Sequence, residues 1–266
     1  MARPPLTART ADRHDLYERA VQDTRVDIGL IEQIFSFERA RPPLHLREDF
    51  CGTAKLCADW VRDHPQRRAL GVDHDAAILA RAGRRHLEGL GEACARVRLV
   101  CQDVRAGAGG GLDVIVAFNF SYMVLKKRRE LLEYFRAARH DLRPGGALFL
   151  DVYGGPDAQR QTVEPTRMHG FTYVWEQAPL DAVTHQGERH IHFRFSDGSV
   201  MKRAFSYDWR LWTLPELRDA LLDAGFVKND VYWEGADARG RGNGVFRRVE
   251  RVDNEQAWVA YVVAWK

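Results

Sequence analysis

The chain repeats apolar positions with two different periods, and the change of period divides it into parts. Between residues 10 and 37, apolar side chains recur every three to four positions among charged ones, which predicts one or two amphipathic helices. The pair Pro42-Pro43 ends this stretch. From 44 to 152, strand-like and helix-like segments alternate, and several strands are nearly continuous apolar runs. Such runs are typical of parallel strands covered on both faces. The predicted strands are 44–50, 69–73, 97–101, 113–118 and 147–152, and the predicted helices are 53–64, 75–90 and 127–142.

Residues 153–213 change to a period of two, which predicts an antiparallel insert. The alternating segments are 171–175, 190–195 and 201–209, and Asp197-Gly198 supplies a hairpin turn between the last two. A helix follows at 215–224, with Thr213 as its N-cap and Gly225 at its end. The chain closes with predicted strands at 227–233 and 258–265, separated by a long hydrophilic loop over 235–244.

Composition narrows the class of protein. The length of 266 residues fits one α/β domain with an insert, and the apolar share of 45% supports an ordinary core. No apolar run approaches the roughly 18 residues that a membrane helix needs, and the N-terminus has no apolar signal region. The four cysteines lack the spacing of a zinc site, so we expect no metal and predict reduced thiols in a cytoplasmic protein. The net charge of +3 does not point to a nucleic-acid surface.

Four short segments occur in a fixed order at predicted strand ends and starts. They are residues 46–54, 70–73, 101–104 and 142–146, and they read LREDFCGTA, LGVD, CQDV and LRPGG. Together they resemble the class I S-adenosylmethionine (SAM)-dependent methyltransferases of the small-molecule type, over residues 44–152. The resemblance implies a Rossmann-like, seven-stranded, mostly parallel sheet with helices on both faces. It also implies methyl transfer from SAM to a nitrogen, oxygen or carbon nucleophile.

The first segment departs from the glycine pattern of that family. Aligned on Cys51-Gly52, Glu48 takes the acidic place, while Phe50 and Ala54 stand where the first and last glycines are usual. Gly52 keeps the position at which backbone approaches a ligand closely.

Polar residues after the next strands complete the predicted cofactor site. Asp73 lies about 20 residues after the glycine turn, where a carboxylate can accept the ribose hydroxyls, or else cap the following helix. The resemblance implies that Asp103 faces the adenine, although an exposed loop acid is the alternative. Asn119 ends the fourth strand, where it either contacts ligand or makes an Asx turn, and Tyr17 closes over the cofactor or packs on the body. The predicted cofactor-binding set is Tyr17, Glu48, Cys51, Gly52, Asp73, His74, Asp103, Val104 and Asn119.

The acceptor side is predicted from position alone. Tyr122, Tyr207 and Arg210 are the candidate catalytic residues because they flank strand ends or lie in the insert, with packing roles as the alternative. We expect four regions: an N-terminal helical cap (1–43), the SAM-binding core (44–152), a β-rich insert that serves as an acceptor lid (153–213) and the C-terminal part of the sheet (214–266).

Two other classes of protein are compatible with parts of the pattern. An NAD-dependent oxidoreductase also places an acid such as Asp73 after a glycine turn, but a full G-x-G-x-x-G is missing. A nucleic-acid-modifying methyltransferase or a non-catalytic binder is the second alternative. It is disfavoured because no RNA-binding module is visible and residues 119–122 lack the Asn/Asp-Pro-Pro-Tyr form. We therefore expect a small-molecule acceptor and no membrane or nucleic-acid partner, and leave a homo-oligomer open.

Overall fold

The computed structural model describes residues 6–236 and 242–266, and these residues form two sheets with helices around them. The strands are β1 (His45–Asp49), β2 (Arg68–Asp73), β3 (Val97–Cys101), β4 (Leu112–Ala117), β5 (Leu142–Gly154), β6 (Thr162–Met168), β7 (Phe171–Gln177), β8 (Gln186–Arg194), β9 (Val200–Arg210), β10 (Lys228–Ala236), β11 (Gly242–Val249) and β12 (Trp258–Trp265). The helices are α1 (Arg13–Val21), α2 (Thr24–Arg39), α3 (Lys55–Asp63), α4 (Ala76–Ala82), α5 (Arg128–Asp141) and α6 (Leu214–Asp223).

The larger sheet has eight strands in the order β11-β10-β12-β5-β4-β1-β2-β3. Strands β1 to β5 pair in parallel, whereas β12 runs antiparallel between β5 and β10. This arrangement confirms the predicted α/β class with a mostly parallel sheet, and it adds one strand to the seven expected. Parallel pairing brings the carboxyl ends of β1, β2, β4 and β5 to one edge, which is where ligands bind in open α/β sheets.

Side chains that alternate along the central strands pack into two apolar layers, one on each face of the sheet. Val114 and Val116 of β4 pack with α2 and α3, whereas Ile115 and Ala117 pack with α5 and α6. The central strands are therefore covered on both faces, which explains their nearly continuous apolar sequence.

The second sheet is antiparallel, in the order β6-β7-β8-β9, and corresponds to the predicted insert. The turn between β8 and β9 contains Asp197-Gly198, as expected, with Gly198 at φ 84°. Strand β6 was not predicted, because Pro165 interrupts it and most of its side chains are exposed.

The two N-terminal helices pack against different sheets. Leu16 of α1 is buried among apolar side chains of the second sheet, such as Phe171 and Phe193. Helix α1 also contacts α4, because Asp15 forms an ion pair with Arg81 at 2.9 Å. Helix α2 instead packs on the larger sheet. The predicted cap 1–43 is thus divided between the two sheets, and its residues 1–5 lie outside the described part of the chain.

Two predicted elements end differently in the structure. The helix expected over 75–90 stops at Ala82 and continues as π and 3₁₀ turns to Arg96, with Gly91 at φ 58°. The loop expected over 235–244 is partly wrong, because β10 extends to Ala236 and β11 begins at Gly242; its residues 237–241 lie outside the described residues. Strand β11 was missed because most of its side chains are exposed, so no apolar pattern marks it. No helix within the described residues is long and apolar enough to cross a bilayer.

Candidate functional site

The turn after β1 has the backbone of a glycine turn although only one of three positions is glycine. Phe50, Gly52 and Ala54 have φ values of 58°, 51° and 53°. This left-handed conformation costs a non-glycine residue about 1–2 kcal/mol. A Cβ built on Gly52 would meet no atom within 4 Å, so the turn faces open space at this point. The departure from the glycine pattern therefore changes the residues but leaves the shape of the turn.

Replacing Ala54 by glycine is expected to leave the free energy of unfolding unchanged or to raise it by up to about 1 kcal/mol, since the left-handed strain disappears. The matched control is Ala58→Gly, which is equally buried but lies inside α3. There glycine lowers the free energy of unfolding by about 1 kcal/mol or more. Urea unfolding measures the free energy of unfolding of both variants. An equal loss in the two would contradict the backbone strain at Ala54.

Asp73 holds the glycine turn from the end of β2. Its carboxylate accepts the Gly52 N–H at 2.9 Å and the Asp75 N–H at 3.0 Å. A carboxylate has about four acceptor positions, so it can still accept hydroxyl groups. His74 beside it has a side chain that is 83% exposed. The ribose role predicted for Asp73 stays a prediction, with a structural role in the turn now added to it.

The other predicted cofactor residues on this edge differ in accessibility. Asp103 is half exposed and pairs with Arg105 at 2.6 Å, and hydrogen bonding from Arg105 lowers the pKa of Asp103. The side chains of Val104 and Cys51 are buried in the two apolar layers. Any contact that these two make with a ligand has to come chiefly from their backbone.

Asp151 of β5 fixes the turn that follows β4, and the sequence analysis did not identify it. Its carboxylate accepts the N–H groups of Asn119 at 2.7 Å and Phe120 at 2.9 Å. Both residues have a left-handed backbone, with φ values of 57° and 58°. Tyr122 is fully buried below and donates its hydroxyl to the Asp151 carbonyl at 2.9 Å. Tyr122 thus supports the turn in this structure, and its predicted contact with an acceptor stays untested.

Three carboxyl groups near this edge, Asp27, Glu48 and Asp151, form what we call the carboxyl cluster. Burial raises the pKa of Glu48 to about 8, although hydrogen bonds from Cys57 oppose the shift. Burial also raises the pKa of Asp151 to about 8 and, with repulsion from Asp23, that of Asp27 to about 7. Repulsion from Asp27 adds to both of the other shifts. A cationic ligand would relieve this repulsion, so the cluster fits a positively charged group.

An acid inside an otherwise apolar strand was the available signal for Asp151. The strand reads ALFLDV over 147–152, and a carboxylate in such a run is rarely buried without partners. Asp27 had a weaker signal, since it simply precedes Ile28 on an amphipathic helix.

Tyr17 and Tyr207 are brought together although they lie far apart in the sequence. Tyr17 packs on Phe205 with ring centroids 5.0 Å apart, and Tyr207 stacks on Trp209 at 4.6 Å. Burial and the interaction with Tyr207 raise the pKa of Tyr17, and burial raises the pKa of Tyr207 to about 12. Both phenols are therefore neutral at ordinary pH.

Arg210 is not brought to this group. Its guanidinium donates to Glu216 at 2.8 Å and lies 3.7 Å from the centroid of the Trp212 ring. It also donates to the Lys126 carbonyl at 3.3 Å. These contacts hold β9 against the N-terminus of α6, which is a structural placement rather than the predicted acceptor contact.

A cavity of 690 Å³ lies between the strand ends of the larger sheet and the second sheet. Five aromatic side chains line it: Phe120, Tyr153, Trp175, Trp233 and Trp258. The rings of Phe120 and Tyr153 are 4.7 Å apart, and those of Trp233 and Trp258 are 4.8 Å apart. None of these five aromatic residues belongs to the predicted set of acceptor residues, Tyr122, Tyr207 and Arg210.

Comparison with known proteins gives one family match and many structural ones. Residues 51–148 match the model of a methyltransferase domain. No curated protein matches the chain significantly by sequence.

The structural neighbours extend over nearly the whole chain. An S-adenosylmethionine-dependent methyltransferase from Clostridium acetobutylicum has a TM-score of 0.69 and 16% identity, covering 95% of this chain and 96% of that one. CalS10, an amino pentose methyltransferase from Micromonospora echinaspora, has a TM-score of 0.64 and 20% identity, covering 95% of each chain. The sugar N-methyltransferase KedS8 from Streptoalloteichus has a TM-score of 0.64 and 19% identity, covering 100% of this chain and 96% of that one. At such identities the likeness establishes a shared fold that includes the second sheet.

Proposed function

We propose that this chain is a SAM-dependent methyltransferase of the Rossmann-like class, and that it transfers the methyl group to a small-molecule acceptor held in the cavity between the two sheets. The observation that supports this acceptor site is its position. Phe120 lines the cavity and directly follows Asn119 at the end of β4, at the edge where the cofactor residues converge. A concave, largely aromatic cavity of this volume suits a small molecule.

The residues of the strand edge fit SAM. The cofactor supplies a methyl group on a sulfonium, and it carries a second positive charge on its amino group. The carboxyl cluster offers the compensating negative charge once its members ionise, and a cationic ligand favours their ionised forms. The open turn at Gly52 admits backbone contact, Asp73 accepts the ribose hydroxyls and Asp103 frames the adenine in this proposal.

The chain contributes alignment and exclusion of water. Asp151 fixes the Asn119-Phe120 turn between the two ligands, and Tyr17 with Tyr207 closes the side toward the second sheet. The insert, 153–213, contacts this turn through its sheet, because the ring centroids of Phe120 and Trp209 are 6.2 Å apart. This contact supports the proposal that the insert acts as the acceptor lid, with Tyr207 as its polar contact.

The related structures support the small-molecule acceptor without deciding the methylated atom. CalS10 is described as an amino pentose methyltransferase and KedS8 as a sugar N-methyltransferase. The methyltransferase domain match over residues 51–148 supports a methyltransferase over the alternative of an NAD-dependent oxidoreductase. A cytoplasmic location belongs to the same proposal and is supported by four unpaired cysteines.

Incubation with SAM carrying a deuterated methyl group tests the acceptor class. The protein is mixed separately with the small-molecule, protein and nucleic-acid fractions of a cell extract. We expect the mass label in the small-molecule fraction, and a Trp175→Ala variant to lose most of that labelling by opening the aromatic lining. The matched control is Asp208→Asn. The Asp208 side chain is exposed and lies on the face of β9 opposite to Tyr207, so this variant should label the small-molecule fraction normally. Label confined to protein or nucleic acid would contradict the proposal.

A further inference from the structure

Helix α1 lies across the strand edge of the larger sheet and reaches two sides of it with neighbouring residues. Glu18 accepts a hydrogen bond from the Thr53 hydroxyl in the glycine turn. Tyr17 contacts Tyr207 on the other side, and besides burial and this contact an interaction with Asp151 raises the pKa of Tyr17. Helix α1 therefore spans the edge at which the predicted cofactor residues converge.

A buried contact joins α1 to the segment after α4. The His86 imidazole lies 2.8 Å from the Glu18 carboxylate, and the two side chains are 14% and 7% exposed. Burial opposes the ionisation of Glu18, but the hydrogen bonds from His86 and Thr53 hold the pKa of Glu18 below its ordinary value. When either donor is withdrawn, the ionised carboxylate keeps its solvation only by moving toward water, and α1 moves with it.

The backbone around His86 also sets this contact apart. His86 lies in a π turn, Gly83–Leu87, that continues α4, and such turns are rare and frequent at functional sites. Arg85 of the same turn pairs with Asp15 of α1 at 3.0 Å, but its side chain is exposed. Helix α1 thus has a buried and an exposed attachment to one segment, and the exposed one contributes little to holding it there.

The attachment of α1 to the second sheet is of another kind. Leu16 is buried among apolar side chains of that sheet, and the Arg19 guanidinium lies 4.8 Å from the centroid of the Phe171 ring. These contacts do not involve the glycine turn. Helix α1 can therefore separate from the turn while it stays on the second sheet, and this separation breaks the buried contacts of Glu18.

We propose that the Glu18–His86 contact keeps α1 closed over the cofactor site, and that it has to break each time SAM enters or S-adenosylhomocysteine leaves. In the closed state the carboxylate is bonded to His86 and Thr53, and in the open state it is hydrated. This inference rests on the function proposed above. It assigns Glu18 and His86 as positioning residues that set the rate of cofactor exchange.

A contact of this kind acts on both rate constants of binding. It involves no ligand atom, so weakening it makes opening easier with or without bound cofactor. The association and dissociation rate constants then rise together, and Kd, which is their ratio, changes little. A residue that binds the cofactor directly behaves differently, because its loss raises mainly the dissociation rate constant.

Surface plasmon resonance at low temperature, with S-adenosylhomocysteine over immobilised protein, measures both rate constants. In His86→Ala we expect both to rise about tenfold, the effect of losing a hydrogen bond to a charged group, while Kd stays within about threefold. His86→Gln should return both rate constants to within about threefold of the unsubstituted protein, since its amide N–H can donate to Glu18.

The matched control is Asp15→Asn, which weakens the exposed attachment of the same helix to Arg81 and Arg85. Both rate constants should stay within about threefold of the unsubstituted protein, because exposed pairs contribute little. Glu18→Gln is the second variant of the buried contact, should His86→Ala fail to fold. It keeps the side-chain volume, loses the charge and should raise both rate constants by about threefold or more.

The outcomes separate this inference from the proposed function. If the unsubstituted protein does not bind S-adenosylhomocysteine, the proposed function fails. If it binds, the inference alone is overturned when the variants of the buried contact leave both rate constants unchanged or raise only the dissociation rate constant. It is also overturned if Asp15→Asn accelerates exchange as much as His86→Ala, or if His86→Gln exchanges as fast as His86→Ala.

Discussion

Replacing Arg47 by methionine is expected to lower the free energy of unfolding by about 3–5 kcal/mol, because it leaves two buried carboxylates without their cation. Arg47 is fully buried, with its Nε 2.9 Å from Asp49 and its Nη1 2.5 Å from Asp141. The Tyr134 hydroxyl donates to Asp49 at 3.0 Å and cannot replace the lost charge. Urea unfolding at pH 7 measures the change.

The control for this prediction is an exposed ion pair. Asp208 pairs with Lys126 at 2.5 Å but is 61% exposed, so Asp208→Asn should change stability by less than about 1 kcal/mol. The double variant Arg47→Met/Asp49→Leu should recover part of the loss, since one uncompensated charge is removed. A loss of less than 1 kcal/mol for Arg47→Met would mean that the network contributes little to stability.

SAM should bind more tightly as pH rises from 6 to 8, by up to about tenfold per pH unit for each carboxyl that must ionise. The pKa values of Glu48 and Asp151 are raised to about 8 by burial, so both are largely protonated below that pH in the free protein. A cationic ligand favours the ionised forms, and binding therefore releases protons. Above about pH 8 the affinity should level off. Calorimetry in buffers of different ionisation enthalpy counts the protons.

Two comparisons make this prediction specific to the cluster. S-adenosylhomocysteine lacks the sulfonium charge, so its affinity should depend less on pH than that of SAM. Glu48→Gln should weaken SAM binding at pH 8 by about tenfold or more and flatten the pH dependence, whereas the exposed Glu92→Gln should do neither. Parallel pH profiles for the two ligands would show that the cluster does not face the sulfonium.

The raised pKa values have the opposite effect on the stability of the free protein, which falls as pH rises. A carboxyl whose pKa is raised on folding stabilises the fold below its unfolded value and loses that contribution as pH rises through the folded value. Burial raises the pKa of Glu48 from its ordinary value of 4.5 to about 8 in the folded protein. Its contribution to the stability of the free protein is therefore lost progressively between these pH values, where SAM binding grows stronger.

The sequence predicted the core because its signals are local. The apolar runs of β4 and β5 and the cap at Thr213 depend on neighbouring residues, so they were visible without a structure. Strands β6 and β11 were missed because edge strands with exposed side chains have no burial pattern.

Site residues could be predicted from the sequence only where they lie next to the end of a predicted strand. Gly52 lies in the turn after β1 and Asp73 is the last residue of β2, so both lie at the shared edge of the sheet. Asp27 and Asp151 acquire their properties from burial beside other carboxyls, which depends on the packing of α2 against the sheet. Arg210 was chosen for its place in the insert, but alternation along β9 directs it away from Tyr207.

The divided packing of α1 has a consequence for how the site responds to ionic strength. Leu16 joins α1 to the second sheet by apolar contacts, which salt does not screen, whereas Asp15 joins it to Arg81 and Arg85 through partly exposed charges. Concentrated salt therefore weakens these exposed ion pairs of α1, whereas the largely buried contact between Glu18 and His86 at 2.8 Å and the apolar contacts with the second sheet are much less affected. Ionic strength is thus expected to act on the outer rim of α1, while Tyr17 stays with Tyr207.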